Sequence, residues 1–157
     1  ANRRVFDEAL ERDMARCGRA GTPLSLILLD VDRFKHYNDF HGHQAGDRCL
    51  VMVANAIKTS LLRPADLAAR YGGEEFAVIL PDTGLAGAEA VAERIRTSIA
   101  AASTYDLGSE VTASLGVAEY DLTKAPTTPE SLVRRADGAL YSAKAAGRNR
   151  VMAAAAE

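Results

Sequence analysis

The chain has almost no charge imbalance. It carries 19 Lys and Arg against 21 Asp and Glu, a formal net charge of −2. No general attraction to nucleic-acid polymers or anionic membrane surfaces is expected, and any phosphate ligand has to be held by local groups. Cysteine is scarce: Cys17 and Cys49 are the only two. Both fall in stretches that read as helix without metal-ligand spacing, which points to buried, reduced thiols rather than a disulfide or a metal site. Long hydrophobic runs are missing. The longest, Leu24 to Leu29 with Ser25 inside it, is far shorter than the about 20 residues that span a bilayer, so no direct membrane contact is expected. No signal-peptide pattern is found. The chain runs from Ala1 straight into Asn2-Arg3-Arg4-Val5-Phe6 without an initiator methionine, and is expected to be a fragment of a longer protein.

Repeats and low-complexity linkers are also lacking. With 48% apolar and 25% charged residues in a chain of 157, the composition is globular and excludes a disordered or fibrous protein. We read residues 1–157 as one domain, with the alanine tail after about Met152 loosely ordered.

Apolar spacing predicts a first helix from about Arg3 to Cys17, ended by Gly18 and Gly21, and then a central strand, Leu24 to Leu29, buried on both faces. A loop around Phe40 to Gly46 leads into a helix over Asp47 to Leu62. Two short strands, Leu67 to Tyr71 and Phe76 to Leu80, flank Gly72-Gly73-Glu74-Glu75, a spacing that suits a hairpin with glycines supplying positive φ. A helix (Leu85 to Ala102), an alternating strand (Val111 to Tyr120), a helix (Pro129 to Ala146) and a last strand from near Asn149 complete the chain. The order αβ, αββ, αβ, αβ implies a sheet of mixed direction covered by helices, an α/β (α+β) fold.

Three acidic positions stand out, because each lies where a strand ends or a hairpin turns: Asp30, Asp32 and the pair Glu74-Glu75. Acidic groups along one sheet edge invite a hard cation, which binds through one or two carboxylates plus substrate phosphates. Solvated strand ends are the alternative at this point. Lys35 follows close behind Asp30, and Lys144-Ala145-Ala146-Gly147-Arg148-Asn149-Arg150 forms a basic cluster at a helix end. That cluster suits phosphate oxygens, and it equally suits the negative end of a helix dipole.

Arg70-Tyr71-Gly72-Gly73-Glu74-Glu75-Phe76 resembles the signature of the GGDEF family of diguanylate cyclases, in the variant with glutamate at the third position. The match extends in order and spacing to Leu29-Asp30-Val31-Asp32-Arg33-Phe34-Lys35, Asn38-Asp39, Gly42-His43-Gln44-Ala45-Gly46-Asp47, Val111 to Ala118, and Ala136 to Asn149. It covers essentially the whole chain. The resemblance implies a mixed five-stranded central sheet with surrounding helices, akin to the palm of polymerases and class III nucleotide cyclases. It implies a metal-dependent condensation of two GTP into cyclic di-GMP by a homodimer of domains.

Carried over by position, the pattern implies that Asp30, Glu74, Glu75 and the Val31 carbonyl bind two Mg2+ or Mn2+ ions per active site. Glu74 becomes the candidate general base, Glu75 assists the metal-binding groups at the catalytic centre, and Lys35 stabilises charge beside the phosphates. Asn38 and Asp47 resemble a guanine-reading pair, since an amide and a carboxylate match guanine's edge. Phe34 and His43 are implied substrate contacts, and Lys144 and Arg148 match positions that hold the β- and γ-phosphates. Arg63-Pro64-Ala65-Asp66 looks like the family's inhibitory RxxD motif, where cyclic di-GMP binds, with Arg94 in support. The family's acidic-hydrophobic turn ahead of Asn2-Arg3-Arg4 is missing from the chain. The resemblance further implies a cytoplasmic domain, acting as the output of a larger sensor protein that can itself be membrane-bound. Two other readings are carried forward: a catalytically silent receptor for GTP or cyclic di-GMP, and a cyclase with an adenine-containing product.

Overall fold

The computed structural model describes residues 1–121 and 127–155. The first helix, α1 (Arg3–Ala20), is capped at its start by Asn2, whose side chain accepts from Val5 N–H, and at its end by Gly21 at φ 72°. Left-handed backbone is cheap only for glycine, so the chain turns there into β1 (Leu24–Val31). Every residue of β1 is buried.

Helices α2 (Phe34–His41) and α3 (His43–Ser60) follow, then the hairpin strands β2 (Leu67–Arg70) and β3 (Glu75–Pro81). Helix α4 (Leu85–Leu107), strand β4 (Ala113–Tyr120), helix α5 (Pro129–Ala145) and strand β5 (Val151–Ala153) complete the order. The five strands lie in the order β2-β3-β1-β4-β5. β1 runs antiparallel to both β3 and β4, β2 to β3, and only β4 and β5 are parallel. The sheet is therefore mixed, as expected from the interrupted alternation.

Side chains along β1 alternate between two cores. Ile27, Leu29 and Val31 face α3 and α4, packing with Val53, Ile57, Ile95 and Ile99. Leu24, Leu26 and Leu28 face α1 and α5, packing with Phe6, Leu10, Leu132 and Leu140. Helix α5 lies hard on β4 at Gly116, where a Cβ would come within 2.3 Å of Ala136 O and Leu140 N. No helix among the described residues is long and apolar enough to cross a membrane.

Several expectations need correction. The stretch read as a loop over Phe40 to Gly46 is helical on both sides of Gly42, which alone reverses the chain at φ 91°. One left-handed glycine does the work assigned to a loop, and the polar residues around it hide the helical periodicity. Neither Gly72 nor Gly73 has positive φ; the reversal is held instead by Tyr71 and Gly72 N–H groups donating to Glu75 O, at 2.8 and 3.2 Å. Helix α4 continues to Leu107, beyond the expected Ala102. The last strand includes Met152 and Ala153, and Ala154 N–H donates to Val117 O at 2.7 Å. Residues 156 and 157 of the alanine tail lie outside the described residues.

Candidate active site

Strand register assembles the acidic residues. Asp30 on β1 is directly opposite Glu75 on β3, and Val31 N–H donates to Glu74 O at 3.2 Å. Asp30, Val31, Glu74 and Glu75 therefore sit together at one end of the sheet's central strands, although more than forty positions separate the two pairs in sequence. The hairpin tip is braced by Arg70, whose guanidinium donates to the carbonyls of Gly72 and Gly73. Burial, and then the charge of Asp30, push the Glu75 carboxyl above its usual range; Lys144 opposes them, and Asp137 and Glu74 add weaker repulsion.

Lys144, near the end of α5, brings its ammonium onto Oδ2 of Asp30. It was expected at phosphate oxygens. A lysine is drawn to the strongest negative charge within reach, here a buried carboxylate beside Glu75. Among the described residues, no group of three or more His, Cys, Asp and Glu is gathered to hold a metal ion. The donors fit a different kind of site. They are all oxygens, suited to Mg2+ or Mn2+, and magnesium needs only one or two carboxylates when phosphates complete its shell. The Lys144 ammonium marks Asp30 as a position that takes a cation.

Asp32, the third acidic position, is committed elsewhere. Its carboxylate accepts from Thr112 Oγ1 (2.8 Å), Ser114 Oγ (2.6 Å) and Asn149 N–H (3.0 Å). The sequence groups it with Asp30 as a possible ligand, because both lie at the end of a strand; the hydroxyls of β4 that engage it give no signal in the sequence.

The expected guanine-reading residues gather at the α2–α3 junction. Asn38 Nδ2 lies 3.3 Å from His43 Nδ1, while Asn38 Oδ1 is buried with no partner. That oxygen points at Gly46, where a Cβ would sit 1.7 Å from it and 3.2 Å from Cζ of Phe34. Gly46, part of the Gly42 to Asp47 motif, makes the space that Asn38 and Phe34 occupy. Asp47, the next residue, lines a groove of about 730 Å³ that continues along α3 past Leu50 and Ile57 to Arg63 and Asp66. Lys35 is exposed on the first turn of α2. Arg148 follows Gly147 and lines a second cavity of about 400 Å³ with Arg33 and His36.

At the far end of α3, Arg63 pairs with Asp66 at 2.7 Å and also donates to Pro81 O and Thr83 Oγ1. Arg94 of α4 donates twice to Ser60 O, at 3.0 and 2.9 Å. The three residues expected to form the inhibitory site are thus in one neighbourhood, but Arg94 caps the end of α3 and its guanidinium is not joined to Arg63.

Comparison with known proteins fits this arrangement. The family model described as "Diguanylate cyclase, GGDEF domain" matches residues 1–150. The chain belongs to the GGDEF domain family. This GGDEF domain is 43% identical over 152 residues to diguanylate cyclase DgcP of Pseudomonas aeruginosa, covering 96% of the chain and 22% of that protein. It is 44% identical over 163 residues to the response regulator PleD of Caulobacter vibrioides, covering 99% of the chain and 34% of that protein. The chain thus spans about a fifth to a third of these relatives. The active GGEEF domain of a diguanylate cyclase from Vibrio cholerae superposes with a TM-score of 0.93 at 32% identity, covering 100% of this chain and 99% of that one. The GGDEF domain of DgcB from Caulobacter crescentus, solved in complex with c-di-GMP, gives a TM-score of 0.89 at 40% identity, covering 99% and 89%.

Proposed function

We propose that this domain is a diguanylate cyclase, condensing two GTP into cyclic di-GMP. Two 3′-oxygen-to-phosphorus bonds form, two α–β phosphoanhydride bonds break, two pyrophosphates leave, and each 3′-hydroxyl gives up a proton. The observation that carries this reading is the Asp30–Glu75 pairing, with Glu74 beside Val31 at the same end of the sheet.

Asp30, Glu74, Glu75 and the Val31 carbonyl would hold two divalent ions, Mg2+ or Mn2+. When bound, such ions lower the pKa of the attacking hydroxyl and offset charge on the triphosphate and on departing pyrophosphate. Glu74, at the open tip of the hairpin, is the base that takes the hydroxyl proton, and Glu75 assists it. Lys35 supplies fixed positive charge to the transition state, and Lys144 and Arg148 bind the β- and γ-phosphates. Asn38 and Asp47 read the guanine edge, with Phe34 and His43 beside them. Each domain holds one GTP, so turnover requires two domains face to face, as a homodimer, and rises with protein concentration. Cyclic di-GMP binds at Arg63, Asp66 and Arg94 and restrains the reaction. The domain works in the cytoplasm, as the output of a larger protein.

Chromatography of products after incubating concentrated protein with GTP and Mg2+, beside Glu74→Gln, tests the reading. Cyclic di-GMP from the unmodified protein alone supports it. Tight binding of GTP or cyclic di-GMP without any product leaves a receptor instead.

A further inference from the structure

We propose that Asp32 is a positioning residue that fixes Arg148 for the triphosphate, an inference that rests on the function proposed above. The turn after α5 has three consecutive positive φ values, Gly147 at 126°, Arg148 at 64° and Asn149 at 45°. Two of these residues carry a Cβ, and such backbone persists only where tertiary bonds over-determine it. Those bonds are visible. Arg148 N–H donates to Ala143 O at 3.0 Å, Asn149 N–H donates to Asp32 Oδ2 at 3.0 Å, and Arg96 of α4 donates to Asn149 Oδ1 at 2.8 Å.

Asp32 is the centre of the arrangement. Its own N–H donates to Thr112 O at 2.9 Å, and its carboxylate gathers Thr112, Ser114 and Asn149. Three donors converge on its two oxygens, whose several lone pairs let one side chain gather all of them. Arg33, the next residue, is also left-handed at φ 53°, so the turn entering α2 and the turn leaving α5 are two strained segments tied to one side chain. Asp32 stands two residues past Asp30. Arg148 therefore has a fixed place relative to Asp30 through a single chain of bonds: β1, the Asp32 carboxylate, Asn149, Arg148. Asp32 touches no reacting atom in this arrangement; it acts through Arg148, and its loss would be felt by phosphate and not by guanine.

The test compares dissociation constants of 3′-deoxy-GTP, which lacks the attacking hydroxyl, and of GMP, in the presence of Mg2+. Wild type should prefer the triphosphate. Asp32→Ala should lower that preference about tenfold or more with GMP affinity kept, while Asp32→Asn keeps most of it, because Ser114 can turn its hydroxyl to accept from the amide. Arg148→Ala should lower the preference similarly, and Asp32→Ala should add nothing in that background. Should Asp32→Ala fail to fold, Thr112→Val with Ser114→Ala removes two of the three donors and should lower the same ratio. An unchanged ratio in the variants that fold, or full additivity with Arg148→Ala, overturns the inference. A wild-type domain that binds GMP as well as the triphosphate overturns the proposed function and this inference with it.

Discussion

The ammonium of Lys144 rests on Oδ2 of Asp30, 114 positions away in the chain. A cation carried by α5 thus neutralises the carboxylate that β1 presents opposite Glu75. A divalent ion at Asp30, as proposed, would compete with that ammonium and free Lys144 for phosphate oxygens. Replacing Lys144 by Met should therefore tighten Mn2+ binding in the absence of nucleotide, while raising KM for GTP about tenfold. Titration of Mn2+ by its electron paramagnetic resonance signal, with steady-state kinetics beside it, checks both. Unchanged Mn2+ affinity would contradict the competition.

Much of this site is legible in the sequence, because strand ends and the hairpin tip can be placed from Leu24 to Leu29 and from the glycine pair at 72 and 73. Spatial neighbours contributed by later elements are not. Nothing local to Asp32 signals that Thr112 and Ser114 will meet it, since that contact depends on the β1–β4 register. Nothing local to Arg94 tells that it will cap α3. The short α2 signals itself weakly for another reason: none of its residues is fully buried, and its inner face is marked only by Phe34 and Tyr37, partly buried against the core.

Glu75 gives a pH-dependent signature. Its carboxyl pKa is raised, first by burial and then by Asp30. The stabilisation from a raised carboxyl pKa is fully present below the unfolded value and is lost as pH rises through the folded one. In metal-free buffer, Glu75→Gln should melt higher than wild type near pH 8, and the two should converge below about pH 4. Melting curves across that range decide it; a Gln variant that melts lower near pH 8 contradicts the assignment.

Gly46→Ala probes the guanine end. The added methyl collides with the Asn38 side-chain oxygen and approaches Phe34. A side-chain end can swing away, and alanine favours helix over glycine by about 1 kcal/mol, so the melting temperature should shift by only about a few degrees. KM for GTP should nevertheless rise about tenfold, and the preference for GTP over ATP should shrink. Kinetics with both nucleotides measure this, and an unchanged KM would show that Asn38 does not read the base.

Asp66→Asn addresses regulation. Asp66 is nearly buried against Arg63, which also grips Pro81 O and Thr83. The neutral amide should raise the cyclic di-GMP concentration that halves the rate by about tenfold or more. Inhibition curves with added product check it, and an unmoved midpoint removes the Arg63–Asp66 site from the account.

The central claim is that two GTP-loaded copies of this domain meet and condense their substrates. Its most direct test is the initial rate of cyclic di-GMP formation, followed chromatographically across a wide range of protein concentration with Mg2+ and saturating GTP. Cyclic di-GMP and pyrophosphate should form in a one-to-two ratio, with rate per domain climbing as concentration rises and then levelling off. Absence of product at every concentration, or a rate per domain that is flat throughout, would contradict it.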